Sequence, residues 1–136
     1  MDLYRRVYAR SRFTVDPAAK IDDATYGVKV TVEPIDVFHL VADELPSDTP
    51  ASSLVQAFDA AYSDVDVNAM TDEEYQAYDA AWARMIIGLT LEKLPESGYL
   101  EAESKVVQVV RDEEDLWSIP QSDYDDLDGR IIDYNF

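Results

Sequence analysis

The chain has 136 residues, with 29 Asp and Glu against 11 Lys and Arg, a formal net charge of −18 and 47% hydrophobic residues. That is one domain of ordinary size with enough apolar content for a core, which excludes wholesale disorder. The charge excludes unassisted binding to nucleic acid or to an anionic membrane surface, and the absence of cysteine excludes disulfides, thiolate metal sites and a cysteine nucleophile.

In chain order, the first feature is a basic arm. Arg5, Arg6, Arg10 and Arg12 are opposed only by Asp2, so residues 1–12 carry about +3 and residues 13–136 about −21. Laid across its own acidic body, the arm would neutralise part of it. Reaching a second subunit, it would support a homodimer. No apolar signal-peptide core follows the arginines, and no run approaches the ~18–20 apolar residues of a membrane span. Taken literally, the chain is soluble and cytoplasmic; the other reading is a fragment excised from a longer secreted protein.

Arg12-Phe13-Thr14-Val15 reads as a short strand ended by Asp16-Pro17. Asp22-Asp23-Ala24 is turn-like. From Tyr26 to Glu33 the chain alternates strictly, with Tyr26, Val28, Val30 and Val32 on one face, the habit of an antiparallel strand wet on its other side. Pro34 closes it. Residues 43–52 hold two prolines with Ser47, Thr49 and Ser52 and form a loop. Ser52 or Ser53 caps a helix carrying Leu54, Val55, Phe58, Ala61 and Tyr62.

Thr71-Asp72-Glu73-Glu74 is a capping box opening a long helix. Its stripe of Tyr75, Tyr78, Trp82, Met85, Ile86 and Leu89 should run to about Leu94, where Pro95 and Gly98 stop it, about 23 residues or ~35 Å. A second alternating strand covers Lys105–Arg111. Asp112–Asp115 makes the turn, Leu116–Ile119 returns and Pro120 ends the hairpin. Ser122 is placed to cap a short helical turn through Leu127, with Gly129 just past its end. The tail from Arg130 to Tyr134 is apolar enough to dock. There is no internal repeat and no long linker, so residues 1–136 read as a single α+β domain.

Asp64, Asp66, Asn68 and Asp72 occupy positions 1, 3, 5 and 9 of a calcium EF-hand loop. Position 6 needs glycine and has Ala69, and position 12 needs a bidentate Glu and has Tyr75. The EF-hand fails; the same oxygens would serve a looser calcium site, or simply make a polar helix–helix connection. The carboxylates Asp112–Asp115 are either a solvated hairpin tip or a cation site. Asp123, Asp125, Asp126 and Asp128 suit the start of their helix electrostatically. His39 is the single histidine, and no local pattern around it suggests a triad. No catalytic or cofactor-binding residue is assigned. The stripe Tyr75–Tyr78–Trp82 suits core packing against the sheet. A helix-covered curved sheet also keeps a cavity at its open end, and Tyr75, Tyr78, Trp82 and Trp117 are the candidate lining.

Several stretches together carry a resemblance. They are the strand ending in Val30-Thr31-Val32-Glu33-Pro34-Ile35-Asp36, the helices with Phe58-Asp59-Ala60-Ala61-Tyr62 and Tyr78-Asp79-Ala80-Ala81-Trp82, and the hairpin Val107–Asp112 to Leu116–Ile119. The order resembles the cystatin-like or NTF2-like α+β domains of uncharacterised, membrane-anchored lipoproteins of Gram-positive bacteria, over about residues 12–128. The resemblance implies a curved antiparallel sheet of about four strands packed against one long helix and shorter helices, in a protein held outside the membrane through an N-terminal region missing from this chain. It carries no catalytic motif, and the lipid-bearing cysteine and the usual N-terminal helix are absent or shortened. The leading expectation is therefore a non-enzymatic extracytoplasmic module that binds a protein or small-molecule partner. The alternative is a cytoplasmic acidic decoy (inhibitor, immunity protein or DNA mimic) facing a basic protein surface. An NTF2-like enzyme of unidentified substrate comes third.

Overall fold

The computed structural model describes residues 2–135, and these divide into two compact units, one of Val37–Ser97 and one of Asp2–Asp36 with Gly98–Asn135. The fold class is α+β, with a curled antiparallel sheet and five helices, in agreement with the sequence. Among the described residues no helix is long and apolar enough to cross a membrane.

The sheet unit begins with helix α1 (Asp2–Tyr8), followed by strands β1 (Arg12–Val15), β2 (Ala19–Asp22) and β3 (Thr25–Glu33). After the other unit come β4 (Glu103–Arg111), β5 (Trp117–Ser118) and helix α5 (Gln121–Ile131). The strand order is β1-β3-β4-β5, all antiparallel, and β2 pairs with the other half of β3's edge. The strictly alternating run therefore became the centre of the sheet, as period-2 burial requires. Val30, Val32 and Val107 are buried, and Leu127 and Ile131 of α5 pack over them.

Gly27 has a packing reason: a Cβ there would lie 3.3 Å from both Ile21 and Val106, so its absence lets β2 close over β3. The tail docks as expected. Ile35, fully buried, donates its N–H to the Ile131 carbonyl at 2.9 Å and accepts from the Asp133 N–H at 3.1 Å. Tyr8 ties α1 to α5 by donating its hydroxyl to Asp128 at 2.9 Å; burial and then that hydrogen bond push its ionisation above the ordinary tyrosine range.

Two expectations in this unit need correction. Ser122 does not cap the last helix, which starts at Gln121 behind Pro120 and runs eleven residues to Ile131. Gly129 lies within that helix rather than after it. A mid-helix glycine costs only about 1 kcal/mol, which the packing of Leu127 and Ile131 on either side of it outweighs.

The helical unit contains α2 (Val37–Glu44), α3 (Ser53–Tyr62) and α4 (Asp72–Lys93), with short 3₁₀ turns at Val67–Ala69 and Leu94–Glu96. Both expected caps are present. Ser52 Oγ accepts from the Leu54 N–H, and Thr71 and Glu74 form the reciprocal capping box. The Thr71 N–H, donating to the Glu74 carboxylate, holds that acid below its usual range. The core is Val41, Val55, Met85 and Leu89, with Leu45, Phe58 and Ile86 packed against it.

Candidate ligand groove on the sheet

Register decides which side chains share a face. Phe13 and Val15 of β1 lie opposite Val32 and Val30, while Val28 and Tyr26 of β3 lie opposite Val107 and Val109. Side chains directly opposite one another point to the same side of a sheet. This face is therefore apolar across three strands, and α5 crosses it with Leu127 and Ile131. Between them lies a groove of about 330 Å³, lined by Phe13, Val15, Val28, Val30, Val32, Val107, Val109, Ile119, Leu127 and Ile131. Val30, Val32 and Val107 make a buried floor, while Phe13 (61% exposed), Val15 (58%) and Ile119 (44%) leave the rim open. Every lining side chain is a hydrocarbon, so the groove offers dispersion and dehydration and no acid, base or nucleophile.

Charge begins where the hydrocarbon ends. Lys105, next on the same face of β4 after Val107, reaches Asp126 at 2.9 Å and Asp123 at 3.6 Å on α5. Arg130 bridges Asp126 at 3.2 Å and Glu103 at 2.9 Å. The Lys105 hydrogen bond, with Arg130 second, lowers the Asp126 carboxyl, and Asp126 raises the Lys105 ammonium. These pairs fix α5 along one side of the groove. At the other end of β4, Arg111 lies over the Trp117 ring at 5.6 Å and bridges Asp115 at 3.5 Å, and Trp117 meets Tyr26 edge-on at 5.5 Å.

The four aromatic candidates divide between the two units. Tyr75, Tyr78 and Trp82 belong to the helical unit, where Tyr78 and Trp82 pack on Phe58 of α3 at 5.5 and 5.3 Å. Tyr78 also meets Tyr62 at right angles at 5.1 Å and lies 6.4 Å from Tyr75. The ring partners of this stripe are thus on α3, and Tyr75 and Trp82 keep substantial exposure. Trp117 belongs to the sheet unit, outside the groove lining. The residues that do line the groove are Val, Ile, Leu and Phe. Their alternation signals burial, and nothing local signals that the cover over them is incomplete.

The calcium candidates lie along the connection from α3 to α4. Asp66 caps the 3₁₀ turn by accepting from the Asn68 N–H at 3.0 Å, Asp72 opens α4, and Asp64 lies between α3 and that turn. Among the described residues, no group of three or more acidic or histidine side chains is arranged to hold a metal ion. Asp112 organises its own hairpin, accepting from the N–H groups of Glu114 (2.8 Å) and Leu116 (3.0 Å), and Asp115 takes the left-handed conformation at φ 61°. Asp123 accepts from the Gln108 N–H of β4 at 2.8 Å, a structural role beyond the helix-start effect expected of it. His39 sits in α2, half-buried.

No protein-family model matches the chain, and no curated protein matches it in sequence. In three dimensions it is similar to the crystal structure of a putative lipoprotein (ycdA) from Bacillus subtilis, with a TM-score of 0.56 and 14% sequence identity. The match covers 93% of this chain and 34% of the Bacillus chain, so the chain spans about a third of that protein's length. At such identity the likeness establishes the fold alone.

Proposed function

We propose that this chain is a non-enzymatic, extracytoplasmic binding module of a membrane-anchored lipoprotein, and that the sheet groove receives its ligand. The observation that carries this reading is the all-hydrocarbon lining around about 330 Å³, a size at the lower end of small-molecule sites. Such a lining selects an acyl chain or another apolar group and gives no foothold for proton transfer or nucleophilic attack. The likeness to the Bacillus lipoprotein supports placement outside the membrane, and a third of its length suits a module anchored through another part of a longer chain. The NTF2-like or cystatin-like cone belongs to the same reading.

Each buried methylene contributes about 0.8 kcal/mol, so an eight-carbon tail gains roughly 6 kcal/mol before the cost of immobilisation. That caps the affinity at dissociation constants of roughly tens of micromolar, and the cost of immobilisation moves them toward the millimolar range. The test is a fluorescence titration with dansyl-labelled undecanoic acid. The expected result is saturable one-to-one binding that is lost in Val109→Trp, which fills the groove, and in Ile119→Glu, which charges its exposed rim, both with unchanged circular dichroism. Absence of saturable binding to the native chain, or equal binding by both variants, would overturn the assignment of the groove.

A further inference from the structure

We propose that β1 is a self-pairing edge, through which two copies of this chain join antiparallel about a two-fold axis passing Thr14. The argument starts from the ladder. The Asp16 N–H donates to the Lys29 carbonyl at 2.9 Å, and the β1–β3 register from Arg12 to Val15 is unbroken. Backbone groups of an antiparallel strand alternate in direction, so Arg12, Thr14 and Asp16 point theirs at β3. Phe13 and Val15 therefore turn their N–H and C=O groups outward. Among the described residues no strand pairs with that side, and both side chains are more than half exposed. An apolar, unprotected edge of this kind is a template for another strand.

The sequence of the edge matches itself. With the axis at Thr14, Phe13 faces the partner's Val15, and each such pair closes two N–H···O bonds, four in all. On the other face of the sheet, Arg12 stands against the partner's Asp16, joining opposite charges. Moving the axis to Phe13 sets Arg12 against threonine and Val15 against Ser11. Moving it to Val15 sets Phe13 against Pro17, which has no N–H. Only the Thr14 register pairs apolar with apolar and cation with anion.

The symmetric register itself favours a second copy as the occupant, because the Arg12–Asp16 contact forms twice, once on each side of the axis, and offsets part of the repulsion between two chains of net charge −18. Four residues of edge make a small interface, and the dimer should be weak and should tighten as salt screens the net charge on each copy. Phe13 and Val15 also line the groove, so the two grooves meet across the axis. The pairing stands whether or not a ligand fills them.

The native chain has no cysteine, so Thr14→Cys places one reporter thiol. Opposed residues at the axis form a non-hydrogen-bonded pair about 4.5 Å apart between Cα atoms, within disulfide range. Thr14→Cys should oxidise to a covalent dimer at least about tenfold faster than Lys20→Cys on exposed β2. In sedimentation, the native chain should self-associate with rising concentration and salt. Val15→Pro, which removes an outward N–H and no β1–β3 bond, should stay monomeric with its circular dichroism retained. Asp16→Arg should weaken association and the added Arg12→Asp should restore part of it, part only because Arg12 also stacks over Tyr99 at 3.9 Å. A native chain monomeric in 0.3 M salt, a Thr14→Cys that cross-links no faster than Lys20→Cys, or a Val15→Pro that dimerises normally would each overturn the proposal. Capture of another protein's strand by this edge in place of a second copy would overturn it too.

Discussion

Glu44 is the most informative carboxylate to neutralise. It ends α2, accepts the Ser52 N–H at 2.6 Å in front of α3, and pairs with Lys93 Nζ at 3.3 Å at the end of α4, so one side chain ties three helices. Both members of the ion pair are largely buried, 12% and 15% exposed. The Ser52 N–H lowers the Glu44 pKa most; burial opposes this, and Lys93 adds a smaller lowering. A carboxyl held lower in the folded chain than in the unfolded one contributes stability above the unfolded value of about 4.3, and that stability is lost as pH falls through the folded value. Glu44→Gln keeps an oxygen for Ser52 and removes the charge. Exchanging a charge-assisted for a neutral hydrogen bond costs about 1 kcal/mol, and leaving the largely buried Lys93 without its carboxylate about another. The expected loss is about 2 kcal/mol at pH 7, shrinking below about pH 4 as acid protonates Glu44 in the folded chain. Urea unfolding followed by circular dichroism from pH 7 into that acid range measures it, with a midpoint shift of about 1 M at pH 7. A loss of equal size at both ends of the range, or none at pH 7, would refute the linkage argument.

Gly88→Ala should raise stability by about 0.5 kcal/mol, because a helix-interior glycine costs about 1 and the new Cβ meets only the far end of the partly exposed Leu54, at 2.9 Å. A lower melting temperature would mean that Leu54 cannot yield. Leu89→Ala, at the fully buried centre of the helical core, should cost about 2–5 kcal/mol, and a loss under 1 kcal/mol in urea unfolding would contradict that packing. Asp126→Asn should lower the melting temperature at pH 7, and the gap should close as acid protonates Asp126 in the folded chain, since Lys105 and Arg130 stabilise the ionised form that acid removes. A gap in melting temperature that persists into acid would assign the loss to packing.

The elements legible in the sequence are those whose signal is local. Alternation located β3 and β4, and side-chain caps located α3 at Ser52 and α4 at Thr71, because each rests on residues within a few positions of one another. β2 carries no such local signal: Ala19–Asp22 has a single large apolar residue, Ile21, and is a strand by pairing with β3. α2 was legible in principle. Val37, Leu40 and Val41 recur at helical spacing directly behind Asp36, a residue type that opens helices. The groove could not be read locally at all. Its lining residues are the same Val, Ile and Leu that mark a core, and its openness depends on how far α5 extends across the sheet.

Exposed apolar surface and high charge explain one another in this chain. Phe13, Val15, Ile21, Val106, Leu116 and Ile119 all stand at least 44% exposed on the sheet unit, a condition that invites aggregation at an edge strand. Meanwhile most of the cations outside the arm are engaged within their own unit: Lys20 with Asp23, Lys93 with Glu44, Lys105 with Asp123 and Asp126, Arg111 with Asp115 and Arg130 with Glu103 and Asp126. The acids they leave over dominate the surface, and their mutual repulsion keeps copies apart at low ionic strength. The groove and the β1 edge can then stay open in solution without non-specific association. An uncharged ligand meets an apolar site on an acidic body through dehydration alone, so its binding should be nearly independent of salt while pairing at β1 strengthens with it. Those opposite salt responses separate the two uses of Phe13 and Val15 in a single preparation.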